Sequence, residues 1–191
     1  PDAYVGLASL AERASNSAEV EQVLRIAESK VPGSPELQLY LAQQAPDAEA
    51  RASFIERAYA GLGDNASPVT RAQVLLVRVE NFLQRDALDD AQAALDEYKS
   101  QFPGAPQTLF LQSLIALERG DIDRARAGLL RISEGVAGGS PADLFLGSIN
   151  LEQKNLRQAE AYLTKALRFD ATSGLARELL AKTLLELNRP Q

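Results

Sequence analysis

The strongest constraint on this chain is a period. Ala91, Ala125 and Ala159 stand 34 residues apart, and so do Leu95, Leu129 and Leu163 four places further on. Leu88, Ile122 and Leu156 keep the same spacing, as do the turn residues Asp86, Gly120 and Lys154. Self-similarity at a period of this size (about 20–50 residues) means a stack of like supersecondary units. Each unit buries its apolar face only against its neighbours.

Within a period the pattern is helical. Apolar residues recur three and four apart, and no segment shows the strict alternation of a strand. Ser34-Pro35, Ser67-Pro68 and Ser140-Pro141 each place an N-cap serine before a proline at the first helical position. The missing proline N–H costs nothing there, because that group has no helical partner. Eleven helices are expected, at about 2–14, 17–30, 35–44, 47–61, 68–85, 87–101, 106–119, 122–134, 141–153, 156–169 and 173–188. They group into repeats 1–34, 35–71, 72–105, 106–139 and 140–173 plus a terminal helix in 174–191, a single array over 1–191. Repeat 35–71 is irregular: Pro46 cuts its first helix short and its loop "GLGDNASP" is overlong. "GVAGGSP" at 135–141 is the most flexible linker expected.

Small residues fall where a core would normally take Leu or Ile. In a two-helix unit they let the backbones cross closely while large neighbours interdigitate. Ala27, Ala91, Ala125, Ala159 and Ala166 are therefore expected to be packing positions. So are Ala8, Ala42, Ser113, Gly147 and Ala181 on the opposing helices.

Composition narrows function by exclusion. The chain is 46% apolar, enough for a sizeable core, and its net charge of −6 argues against nucleic acid and anionic membrane surfaces as partners. There is no Cys and no His, which removes thiol nucleophiles, thiolate metal sites and the commonest general base. No metal or cofactor site is expected. No apolar run approaches the roughly 20 residues of a membrane span. The aspartates of "GDIDRARAG" lack calcium-loop spacing, and carboxylate pairs such as Asp89-Asp90 read as solvated turn charges. Asn65-Ala66-Ser67 is a formal glycosylation acceptor, made idle by the following Pro68. An enzyme is not expected. The chain does not begin with Met and reads as a piece of something longer or a processed form.

The recurring residues resemble the tetratricopeptide repeat. Leu146-Gly147 matches the Leu-Gly pair of that family's first helix, and Ala159, Leu163, Ala166 and Leu167 match its second. Tyr4, Leu7-Ala8, Leu24, Ala27 and Pro32 fit the same register in the first repeat. The resemblance covers all 191 residues. It implies an all-α fold, a right-handed α-α superhelix of about five helix-turn-helix repeats plus a terminal helix. It also implies a protein-binding scaffold whose first helices line a concave groove. The second, fifth, ninth and twelfth places of each first helix face that groove. The groove candidates are Leu76, Glu80, Leu83, Phe110, Leu114, Leu117, Leu144 and Leu151, with Phe110 and Leu114 the strongest. The opposing reading is that neighbouring first helices bury most of them. A second candidate edge is the irregular repeat, with its long loop, Tyr40 and Tyr59. Leu76, Glu80, Phe110 and Leu114 stand where chaperone-binding members carry a Lys/Asn carboxylate clamp, so that clamp is not present.

The segment from Ala142 to Gln191 resembles the tail repeats of long lipoproteins that accompany PEP-CTERM and exopolysaccharide export systems. It is also similar in style to periplasmic arrays of polysaccharide secretion proteins. That resemblance implies a periplasmic or envelope-associated scaffold docking a polysaccharide-modifying enzyme or another secretion component. The lipoprotein's anchoring Cys is absent, which leaves a cytoplasmic scaffold as the alternative. Two other functions compete: a structural spacer or homo-oligomer pairing through the array ends, and a direct carbohydrate-binding module.

Overall fold

Helices form where the capping residues put them. The computed structural model describes residues 2–13, 17–31, 33–135 and 139–187. Its eleven helices are α1 (Asp2–Arg13), α2 (Ser17–Lys30), α3 (Pro35–Gln43), α4 (Ala48–Ala60), α5 (Pro68–Gln84), α6 (Leu88–Gln101), α7 (Pro106–Glu118), α8 (Ile122–Glu134), α9 (Pro141–Glu152), α10 (Leu156–Phe169) and α11 (Gly174–Glu186). Among the described residues there is no strand. The ends differ from the sequence expectation by a residue or two, because cap residues such as Asp47 stand just outside the helix. Its carboxylate accepts the Ala50 N–H at 2.8 Å. Ala14, Pro32, Asn188 and the centre of the 135–141 linker lie outside the described residues.

Three turns share one geometry. Asp86, Gly120 and Lys154, one period apart, all have positive φ (57°, 77° and 60°). The N–H that follows each one reaches back five residues, Ala87 to Phe82, Asp121 to Ala116 and Asn155 to Asn150, at 2.8–2.9 Å. This is the Schellman arrangement, which satisfies carbonyls that the helix end would otherwise leave open. The recurring spacing thus encodes a recurring backbone device.

Residues 1–103 and 104–191 form two compact units. In the first, α1 pairs with α2, α3 with α4 and α5 with α6, and α3 also touches both α1 and α5. Its core includes Leu37, Ile55, Leu75 and Leu95, all fully buried, with Ala8, Ala27, Ala42 and Ala91 buried at the crossings. A polar network ties α4, α5 and α6 together. Arg78 pairs with Glu56 at 2.9 Å, stacks 3.9 Å over the Tyr59 ring and lies 3.9 Å from Glu97. Tyr59 donates its hydroxyl to Glu97 at 2.9 Å. That bond, with burial, holds the Tyr59 phenol above its usual range.

In the second unit α7 pairs with α8 and α9 with α10, and α11 packs on both α9 and α10. Leu129, Ala142, Leu146 and Ile149 form one core cluster, and Leu151, Ala159 and Leu163 another. Ala125 and Ala166 are also buried. At the α9–α10 crossing, a Cβ on Gly147 would come within 2.6 Å of Leu163 Cγ and Cδ2. The sequence pairs a glycine with a leucine because nothing larger than hydrogen fits between them.

Asp143 pins three helices of this unit. Its carboxylate is fully buried. It accepts from the Ser140 N–H at 2.7 Å, capping α9, and from the Ser133 hydroxyl at 2.5 Å at the end of α8. Lys165 of α10 stands 3.4 Å away and donates to Ser133 Oγ at 2.9 Å. The last helix lacks one partner face among the described residues. Ala181 and Leu185 are the 34-residue images of Gly147 and Leu151, which α10 covers, yet Ala181 is exposed and Leu185 is 63% exposed. Ala181 is therefore not a packing position here, which corrects the sequence expectation.

Candidate functional site

The groove of interest lies in the first unit, on the face formed by α1, α3 and α5. It encloses about 550 Å³. Val5, Glu36, Leu39, Gln43, Gln73 and Glu80 line it, and in the repeat register these are second, fifth and ninth places of three successive first helices. Helical periodicity places such residues on one face. Tyr40, Val77 and Arg51 complete the wall.

Arg51 reaches the groove because of a local sequence irregularity. Pro46 cannot continue a helix, so α3 is nine residues long and α4 starts at Ala48. Arg51 stands in the first turn of α4 and lines the groove.

The charges in the groove are held in different ways. Glu36 is fixed by two hydroxyls: Ser34 donates to Oε2 and Thr70 to Oε1, both at 2.8 Å. Burial pushes the Glu36 carboxyl up. Its hydrogen bonds, to the backbone, Thr70 and Ser34, outweigh burial and hold it below the usual range. Glu80 has no hydrogen bond or ion pair within the described residues. Burial raises its carboxyl above the ordinary range, and the Arg51 charge pulls the other way.

The sequence-derived groove residues are dispersed. Glu80 lines the first-unit groove; Leu76 and Leu83, on the same helix, are half-buried and do not. In the second unit Phe110 meets Phe145 edge-to-face at 5.8 Å. Phe110 and Leu117 both pack on the core around Leu129 and Leu146. Leu144, like Leu179 and Leu180 of α11, packs against the cluster of Leu151, Ala159 and Leu163, and Leu114 is half-buried. Leu151 is 4% exposed inside that core. It is a packing residue and offers no surface to a partner, which corrects its reading as a groove residue. The large apolar side chains that are exposed are others: Leu7, Leu10, Ile26, Val69, Phe169, Leu175 and Leu185. Phe110 and Leu144, at the fifth place, and Leu117 and Leu151, at the twelfth, pack on the cores of this unit, which is why an apolar stripe overstated the free surface.

Of the second sequence-derived edge, Tyr40 lines the groove, whereas Tyr59 is taken up in the Arg78–Glu97 network. Val5, Glu36, Leu39, Gln43, Val77 and Arg51 were missed as site residues. The same register, carried back into the first two repeats, yields Val5, Glu36, Leu39 and Gln43. Arg51 could be found only by following the consequence of Pro46.

No protein-family model matches the chain, and no curated protein matches it either. Solved structures do. One described as "Crystal structure of PilW, widely conserved type IV pilus biogenesis factor" aligns with a TM-score of 0.74 at 16% identity, covering 98% of this chain and 86% of that one. The structure in "Functional Characterization of Pseudomonas Aeruginosa pilF" aligns at 0.65 and 16% identity, over 98% and 90%. "MamA RS-1 ArsTM double mutant" aligns at 0.61 and 11% identity, over 93% and 94%. The fold is of the tetratricopeptide type. Identities this low carry the fold alone, since function resides in sites rather than folds. Among the described residues no helix is long and apolar enough to cross a membrane.

Proposed function

We propose that this chain is a non-enzymatic scaffold that holds a polypeptide segment of a partner protein in the groove of its first unit. One observation carries the reading. Groove-facing places of three successive first helices converge there on a half-polar concavity, while Phe110, Leu117, Leu144 and Leu151 of the second unit pack on its cores. A concave site with apolar walls and a few placed polar groups is the usual form of a binding pocket. The scaffold needs no cofactor. The resemblance of Ala142 to Gln191 to envelope arrays supports a role in a bacterial envelope or exopolysaccharide secretion system. The PilW likeness is in keeping with such a setting.

A photo-crosslinking residue at Gln43 or Gln73, both exposed in the groove, tests the proposal in cells of the source organism. The expected result is one dominant polypeptide adduct, absent when the crosslinker stands at exposed Asp96 on α6. Equal adducts at all three positions would contradict a groove-specific scaffold.

A second reading, self-association, is favoured by Leu175 and Leu185 on α11, 55% and 63% exposed. Sedimentation across a hundredfold concentration range would show a rising mass, abolished by Leu185→Asp. A constant monomer mass rejects it.

A further inference from the structure

The groove reading leaves open which kind of segment fits, and the charges of the groove address that point. Among the described residues, Glu36, Arg51 and Glu80 are the charged residues of its wall, which together carry one net negative charge. Their availability differs. Both Glu36 oxygens already accept hydroxyl hydrogen bonds. Glu80 is exposed to the groove and has no hydrogen-bond or ion-pair partner within the described residues. Val5, Leu39 and Val77 supply apolar wall around these charges.

Resting on the groove as the binding site, we propose that its occupant is a polypeptide segment carrying a lysine or arginine flanked by apolar side chains, with the basic group set against Glu80. An incoming ammonium or guanidinium would give Glu80 the charge-assisted hydrogen bond it lacks. The aliphatic stem of either side chain would lie along Leu39 and Val77, as long basic side chains do on apolar surface. An acidic side chain at the same point would meet an unpaired carboxylate and be rejected. Desolvation of Glu80, which raises its carboxyl, adds to the gain on pairing. Arg51 opposes the incoming cation in part, so its removal should help a basic segment.

The test is selection from a phage library of random dodecapeptides on the intact folded chain, followed by affinity measurement of synthetic peptides from the enriched clones. Gln73→Trp fills the groove from an exposed position and serves to identify clones bound there. The expected result is Gln73→Trp-sensitive clones rich in Lys or Arg. Their affinity should fall about tenfold with Glu80→Gln and rise a few-fold with Arg51→Gln. Circular dichroism confirms that each variant is folded. Groove-dependent clones without basic residues, or with affinity unchanged by Glu80→Gln, would overturn the charge preference and leave the groove standing. No clone sensitive to Gln73→Trp would overturn the groove reading itself, and the preference with it.

Discussion

Gly147→Ala is the sharpest test of how the helices cross. The new methyl would stand 2.6 Å from Leu163 Cγ and Cδ2. Leu163 is fully buried beside Leu151 and Ala159, so it has no open space to swing into. Two terms compete. Replacing a mid-helix glycine by alanine favours the helix by about 0.8–1 kcal/mol. Overpacking a filled crossing costs about 1–3 kcal/mol. The clash wins, and the single variant should lose about 0.5–2 kcal/mol. Leu163→Ala alone should lose about 2–5 kcal/mol through lost burial and the cavity left behind. The double variant removes the atoms that the new methyl strikes, so only the helix-propensity gain of Gly147→Ala remains. It should therefore be about 1 kcal/mol more stable than Leu163→Ala, a coupling of about 1–3 kcal/mol. Urea unfolding of all four proteins, followed by circular dichroism at the helix band, measures the cycle. A Gly147→Ala protein more stable than the parent would refute the close crossing, and so would strictly additive effects.

Other outcomes follow from the same structure. Ala181→Leu should change stability by less than about 0.5 kcal/mol, since Ala181 is exposed although it is the repeat image of Gly147; urea midpoints compare the two. Asp143→Ala orphans the Ser133 hydroxyl and the Ser140 N–H and should cost about 2–5 kcal/mol, read in the same assay. Asp86→Gly relieves a positive φ and should stabilise by about 0.5–1 kcal/mol in thermal unfolding; a loss would show that the turn depends on the aspartate side chain. Glu36 has a lowered carboxyl, so its contribution is present above the unfolded-state pKa and disappears as pH falls through the folded-state value. Glu80 has the opposite sign: it destabilises above its raised folded-state pKa, and the penalty fades as pH falls toward the unfolded-state value. Stability profiles from pH 3 to 7 should therefore show Glu36→Gln losing most at neutral pH and Glu80→Gln gaining most there.

Much of the architecture could be read from residues that repeat. Ser-Pro caps and the 34-residue turn positions set the helix ends, because those residues act locally. The crossing alanines were legible for the same reason: a small residue at a fixed place has few other uses. The site was less legible because groove exposure is a tertiary property. Leu144 stands at the same fifth place as Leu39, and Leu151 at the same twelfth place as Leu83, but the core of the second unit takes both in. Whether a first-helix residue faces solvent depends on what its neighbours carry, and Phe145 closing on Phe110 shows that dependence. Pro46 was visible in the sequence, yet its consequence, Arg51 at the groove, needed the path of α4.

A polypeptide segment bound on the α1–α3–α5 face of the first unit would perturb the backbone amides that line it. Amide NMR of the isotope-labelled chain, titrated with the tightest library-selected peptide, measures this residue by residue. Shift changes should concentrate at Val5, Leu39, Gln43, Gln73, Val77 and Glu80, and be lost in Gln73→Trp. Changes centred on the outer faces of α2, α4 or α6, or on the second unit, would contradict binding on that face.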